Sequence, residues 1–104
     1  MNKFLFILIC LALNAYTADY DVNNSLIDFY GKSKNKINIV IKDNIDIQEK
    51  VTSAGSLALK DNVANKNAFI IQRLIDSDFH ISGKANLSEW ANFRSENSVS
   101  GWSS

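Results

Sequence analysis

Lysine, aspartate, serine and histidine are the residue types here that could do chemistry, and Lys42 stands out among them. It closes the run "INIVIK" of residues 37 to 42, where β-branched side chains pass straight into a cation with no Gly or Pro to mark a turn. A lysine in that place either keeps a strand end soluble by reaching into water or, enclosed by apolar neighbours, serves as a base. The second use demands a neutral amine. An unperturbed lysine has a pKa near 10.4 and is only about 0.04% neutral at pH 7, so burial has to supply about 4 kcal/mol. Asp43 would oppose that shift if it faced the amine. Strand side chains alternate, however, which puts Asn38, Val40 and Lys42 on one face and Ile37, Ile39, Ile41 and Asp43 on the other. The pleat therefore predicts that Lys42 and Asp43 point apart.

The other chemical candidates are weaker. His80 is the single histidine, with no thiolate and no second imidazole to complete a metal site, and reads as a core or edge residue. Cys10, the single cysteine, lies inside an apolar N-terminal stretch, so the chain beyond it holds no disulfide and no thiolate site. No metal or cofactor is expected. Lys and Arg number 11 against 11 Asp and Glu and are scattered, which argues against nucleic acid as a partner. Ser95, Ser98, Ser100, Ser103 and Ser104 crowd the end of the chain, but none sits in a Gly-rich loop, and none is given a nucleophile's role.

These residues have to be positioned by a short chain. With 104 residues, 46% of them hydrophobic, one small domain is the upper bound. Residues 1–18 read as a signal peptide: Lys3 supplies the positive start, Phe4 to Leu13 the apolar core, and "NAYTA" the small residues for cleavage. The rival reading is an uncleaved anchor, although the apolar run is short for a membrane span. Export to the periplasm or the medium, with no stable membrane anchor, is the expectation. Residues 19–36 form a polar segment in which Leu26, Ile27, Phe29 and Tyr30 suggest one or two helical turns closed by Gly31, followed by the basic loop "KSKNK".

From residue 37 the pattern is α/β. Ile37 to Ile41 predicts a buried strand. Phe69, Ile70, Leu74 and Ile75 lie at helical spacing and predict a helix over 66–77, with Asn65 or Asn67 as its cap. "FHIS" over 79–82 predicts a second strand ended by Gly83, and Asn86 with Glu89 starts a second helix through "LSEWANFR". Trp90, Phe93 and Trp102 are expected in a core. The resulting βαβα order implies a parallel pair, and two such strands need cover on both faces that two short helices cannot give. The expected fold is therefore a fragment of a larger α/β fold.

Four motifs, "IKDNID", "TSAGS", "GKANLSEWANF" and "SGWSS", stand in an order and at a spacing that resemble the N-terminal part of the amidase signature family, in particular its bacterial amidase and peptide-amidase-like members. The resemblance covers about Ile37 to Ser104, and it implies that residues 37–104 are the N-terminal βαβα part of a larger mixed-sheet α/β fold. It implies hydrolysis of carboxylic amides by a serine nucleophile, a second serine after a cis peptide, and a lysine. By motif match the catalytic lysine is Lys42, while Lys84, in "GK", holds a loop near the site. The resemblance further implies a neutral Lys42 taking a proton through the bridging serine as the nucleophile attacks, an acyl-enzyme, and backbone N–H groups on the oxyanion.

In that family both serines follow the "SGWSS" segment. The expected activity is therefore that of an amidase fragment which carries Lys42 and is inactive by itself, the substrate of the whole enzyme being a small amide or a peptide amide. Two alternatives stand beside it. One is half of a split amidase completed by a second chain that brings the serines. The other is a small exported binding module without enzymatic activity.

Overall fold

The computed structural model describes Asp21, residues 23–91 and residues 100–102. Three strands form one sheet: β1 (Leu26–Phe29), β2 (Ile37–Lys42) and β3 (Phe79–Ala85), in the order β1-β3-β2. β2 and β3 run parallel, while β1 lies antiparallel on the other edge of β3. The parallel pair with a helix in its crossover is the arrangement that the sequence predicts. The sheet as a whole is mixed, because β1 is a strand where helical turns were expected. Its four residues are too few to show a period, and their pairing with β3 is a contact across more than fifty positions that no local pattern reveals.

The helix of the crossover, α1 (Phe69–Ile75), is shorter than the predicted span and has Ala68 as its N-cap with no side-chain cap. Asn67 is occupied elsewhere: its Oδ1 accepts from the backbone N–H of Gln48 at 2.7 Å. The face that α1 buries also differs from the expected one. Ile71 is fully buried, with Ala68 and Leu74 packed beside it, whereas Phe69 is 79% exposed and Ile70 and Ile75 also face solvent. Ala68, Ile71 and Leu74 follow one another at i, i+3, i+6, which is as good a helical stripe as the more apolar one next to it.

Ile71 joins Ile41 and Ile47 in the core, lined further by Tyr30, Ile39, Ile45 and Ile81. Burying a side chain of that size contributes about 1.5–3 kcal/mol. The alternation of β2 is visible in this packing: Ile39 and Ile41 turn to the core, and Asn38, Val40 and Lys42 are exposed. Asn38, the polar residue in the run, closes the preceding basic loop, accepting from Ser33 N and donating through Nδ2 to Ser33 O, both at 2.8 Å.

β3 continues through Gly83 instead of ending there. In its register with β2, Ile39 pairs with Ile81 but Val40 pairs with Gly83, so Ser82 is an extra residue on β3. A bulge of this kind resets the alternation of the strand that carries it. Ile81 and Lys84, three positions apart, consequently share the face occupied by their partners Ile39 and Ile41. Gly83 sits against β1, where an added Cβ would collide with the carbonyl oxygen of Asp28.

After β3 the chain makes a 3-10 turn, Glu89–Ala91, with Trp90 at φ +56° and 60% exposed. Asn86 lies outside that turn. Its N–H donates to Ser25 O and its Nδ2 to Asn24 O, at 2.8 and 2.9 Å, which ties the end of β3 to the start of β1. Trp90 is thus a surface residue and not a core one. Phe93 and the rest of the predicted second helix lie outside the described residues, as does the predicted signal peptide. Among the described residues no helix is long and apolar enough to cross a membrane.

Candidate functional site

The four sequence motifs come together at the C-terminal end of the parallel strand pair. "IKDN" ends β2, "GKAN" ends β3, "TSAGS" over residues 52–56 forms the loop between them in space, and Ser100 to Trp102 lies across that loop. The C-terminal ends of parallel strands are where open α/β sheets place their ligands.

Lys42 is the last residue of β2, and its side chain is exposed. Asp43, the next residue, is 1% exposed and looks to the other side, as the pleat predicts. The buried cation of the site is Lys84. Its Nζ makes an ion pair with Asp43 Oδ1 at 2.9 Å. It also donates to Ile45 O at 2.9 Å, Val51 O at 3.1 Å and Thr52 Oγ1 at 3.3 Å. Three N–H groups thus face four oxygens, and no donor remains for a substrate.

Asp43 is the hub of the network. Its Oδ2 accepts from the backbone N–H of Ser53 at 3.0 Å and from the Ser53 hydroxyl in a very short bond. Ser53 Oγ in turn accepts from Trp102 Nε1 at 2.9 Å. The main chain of Asp43 is held as well, N–H to Ala85 O at 3.1 Å and C=O from Ala54 N at 2.8 Å. The contact with Trp102 is reinforced by Gly101, whose N–H donates to Gly55 O at 2.7 Å. Ser56 Oγ donates to Glu89 Oε1 at 2.7 Å, which joins the loop to the turn after β3. Among the described residues no buried side-chain nitrogen or oxygen lacks a partner, as a stable buried polar network requires.

The backbone of the loop is demanding. Ala54 and Gly55 have φ of +51° and +72°, and a Cβ on Gly55 would lie 2.6 Å from Leu87 O. The glycine of "TSAGS" is therefore set both by its conformation and by the approach of β3's continuation.

A cavity of about 170 Å³ backs onto the network, with Tyr30, Asp43, Val51, Lys60, Lys84 and Trp102 among its walls. It is smaller than the usual 300–1,000 Å³ of a ligand pocket, and Lys42 does not line it. The Tyr30 phenol is pushed up to about 12, first by burial and then by the negative charges of Asp28 and Asp43. Lys50 Nζ stands 4.4 Å from the centre of the Tyr30 ring.

Of the other sequence candidates, His80 Nε2 on β3 is 3.0 Å from Gly31 O, in the connection between β1 and β2. Ser100 is buried, and its hydroxyl donates to Asn86 Oδ1. Ser95, Ser98, Ser103 and Ser104 lie outside the described residues. Sequence reasoning gave Lys84 a loop-holding place but missed that Asp43 and Ser53 share it. The signal was available in the alternation, which assigned Asp43 to the face of Ile39 and Ile41, where an acid requires a partner.

Comparison with known proteins follows the same outline. The chain matches the family model described as Amidase over residues 14–102. An Arabidopsis thaliana protein named "Probable amidase" is 46% identical over 66 residues, which are 62% of this chain and 13% of that protein. Native peptide amidase from Stenotrophomonas maltophilia superposes with a TM-score of 0.54 and 49% identity, over 64% of this chain and 14% of its own. An amidase family protein from Bacillus anthracis str. Ames superposes with a TM-score of 0.56 and 34% identity, over 85% of this chain and 16% of its own. The chain spans 11 to 13% of the length of the curated relatives that it matches.

Proposed function

The chain belongs to the Amidase family, and from that membership we propose that it is the lysine-bearing portion of an amidase that hydrolyses the C–N bond of carboxylic amides. In this reading Lys42 is the base. A neutral amine takes a proton through a bridging serine that follows a cis peptide, while a second serine attacks the amide carbonyl. Nitrogen leaves with a proton, water cleaves the acyl-enzyme, and backbone N–H groups hold the oxyanion. The substrate is a small amide or a peptide amide.

The observation that carries the proposal is the place of Lys42. It ends a parallel strand, on the opposite side from Asp43, with the loop beside it fixed by the Lys84 network. Asp43 is committed to Lys84 and Ser53 and does not bear on the Lys42 amine as its partner. The described residues leave Lys42 exposed, so the apolar cover that this chemistry asks for is assigned to parts of the relatives that the chain does not span. The two serines are assigned there too, and the 104-residue chain is inactive alone.

A second reading, a split enzyme completed by a separate chain with the serines, shares this site and is separated from the first by complementation. Export through an N-terminal signal is part of both, supported by Lys3 and the apolar run from Phe4 to Leu13. The test is ammonia release from peptide amides by the purified chain, alone and with the C-terminal remainder of a family member. No turnover is expected alone. Turnover in the mixture that vanishes with Lys42→Ala supports the assignment, and turnover by the chain alone, or a mixture indifferent to Lys42→Ala, overturns it.

A further inference from the structure

We infer that Lys84 is a positioning residue for Lys42, acting through Asp43 and the loop of residues 43–54. The inference rests on the amidase reading above for the role of Lys42, and on the geometry alone for the role of Lys84.

Lys84 cannot act on a substrate itself, because its side chain is 1% exposed and every N–H group is engaged. What it holds is informative. Asp43, Ile45, Val51 and Thr52 are the two ends of one loop, and a single ammonium draws their oxygens to one point. A neutral residue of the same length could fill the space but could not gather two backbone carbonyls, a hydroxyl and a carboxylate. Outside the clamp the loop is held to residues 62–68 by the Val51–Val63 bridge and by backbone hydrogen bonds of Asp46, Glu49, Lys50 and Thr52.

The effect reaches Lys42 through the peptide that follows it. Asp43 is fixed at four points: its N–H on Ala85, its C=O on Ala54, one carboxylate oxygen on Lys84 and the other on Ser53. With the next residue so constrained, the end of β2 cannot fray, and the root of the Lys42 side chain has a fixed direction. A base on a frayed strand end loses the alignment on which proton transfer depends. The same chain of contacts continues through Ser53 to Trp102, so residues 100–102 are brought to the site by the element that orients Lys42.

The competing explanation is that the ion pair contributes only to stability. The pair variant Lys84→Met/Asp43→Leu separates the two, because replacing both partners of a buried pair with apolar residues removes the isolated charge that a single replacement leaves behind. Positioning by Lys84 predicts that the double variant recovers most of the stability that Lys84→Met loses. It also predicts that the amides of Thr52 and Ala54, whose acceptors are backbone carbonyls that the double variant keeps, still exchange about tenfold faster or more than in the unsubstituted chain. The ¹⁵N order parameters of Lys42, Asp43 and Asn44 fall toward those of a flexible segment, below about 0.6, while Ile39 and Ile81 keep rigid values near 0.85. Wild-type exchange and order in the double variant would overturn the inference, and so would an unsubstituted chain with no protection over 43–54. Neither readout involves turnover. A failed amidase assay therefore strikes the proposed function and leaves the clamp standing, whereas a rigid loop in the double variant does the reverse.

Discussion

Lys84 of β3 and Asp43, the residue after β2, meet at 2.9 Å with each side chain 1% exposed. Removing one of two such charges leaves the other buried without its partner. Lys84→Ala or Asp43→Ala alone is expected to cost about 3–5 kcal/mol. Urea unfolding followed by circular dichroism measures it, and a loss under about 1 kcal/mol would mean that the partner finds solvent.

Within α1 the expected effects diverge sharply between two residues of similar hydrophobicity. Ile71→Ala empties a fully buried site and should cost about 2–5 kcal/mol, whereas Phe69→Ala, at a position 79% exposed, should stay within about 0.5 kcal/mol. Equal effects in thermal unfolding would show that the helix turns a different face to the sheet.

Gly83→Ala should detach β1 and leave the parallel pair in place. The new methyl meets the backbone of Asp28, which cannot move aside while it stays paired. Hydrogen exchange is predicted to accelerate in Leu26–Phe29 and to remain slow in Ile39 and Ile41. Uniform acceleration would refute it.

Tyr30 gives the stability a defined response to alkali. Its folded pKa of about 12 lies above the ordinary value near 10. Below about pH 10 the phenol is protonated in both states and adds no pH dependence. Between about 10 and 12 the unfolded chain gives up the proton that the folded chain keeps, so stability falls as pH rises through that window. Tyr30→Phe should flatten that fall. Unfolding curves for the two proteins that run parallel from about pH 9 to 12 would contradict it.

The sequence made some of this legible and hid the rest for physical reasons. β2 declared itself because five of its six residues carry the side chains that a strand favours or the charge that ends one, and its alternation separated Lys42 from Asp43. β1 stayed hidden because LIDF is too short for a period and exists as a strand only through β3. In α1 two apolar stripes lie side by side, and only the sheet decides that Ile71 and not Phe69 is inside. Alternation marks Asp43 as an acid in need of a buried partner but cannot say which, since the clamp's members Asp43, Ser53, Lys84 and Trp102 are joined by contacts up to 49 positions apart. Family resemblance named the motifs that hold them, but not the bonds between them.

The extra residue at Ser82 makes the site depend on where β3 breaks its alternation. Ile81 and Lys84 face the core together only because three steps along β3 cover the distance of two along β2. If Ser82 were instead paired in the ladder as an ordinary strand residue, strict alternation would swing the ammonium to the opposite surface, stranding Asp43 without changing any side chain that touches it. Substitutions around the clamp can be graded in kilocalories, but the side to which Lys84 points is set by the pairing of β3 alone.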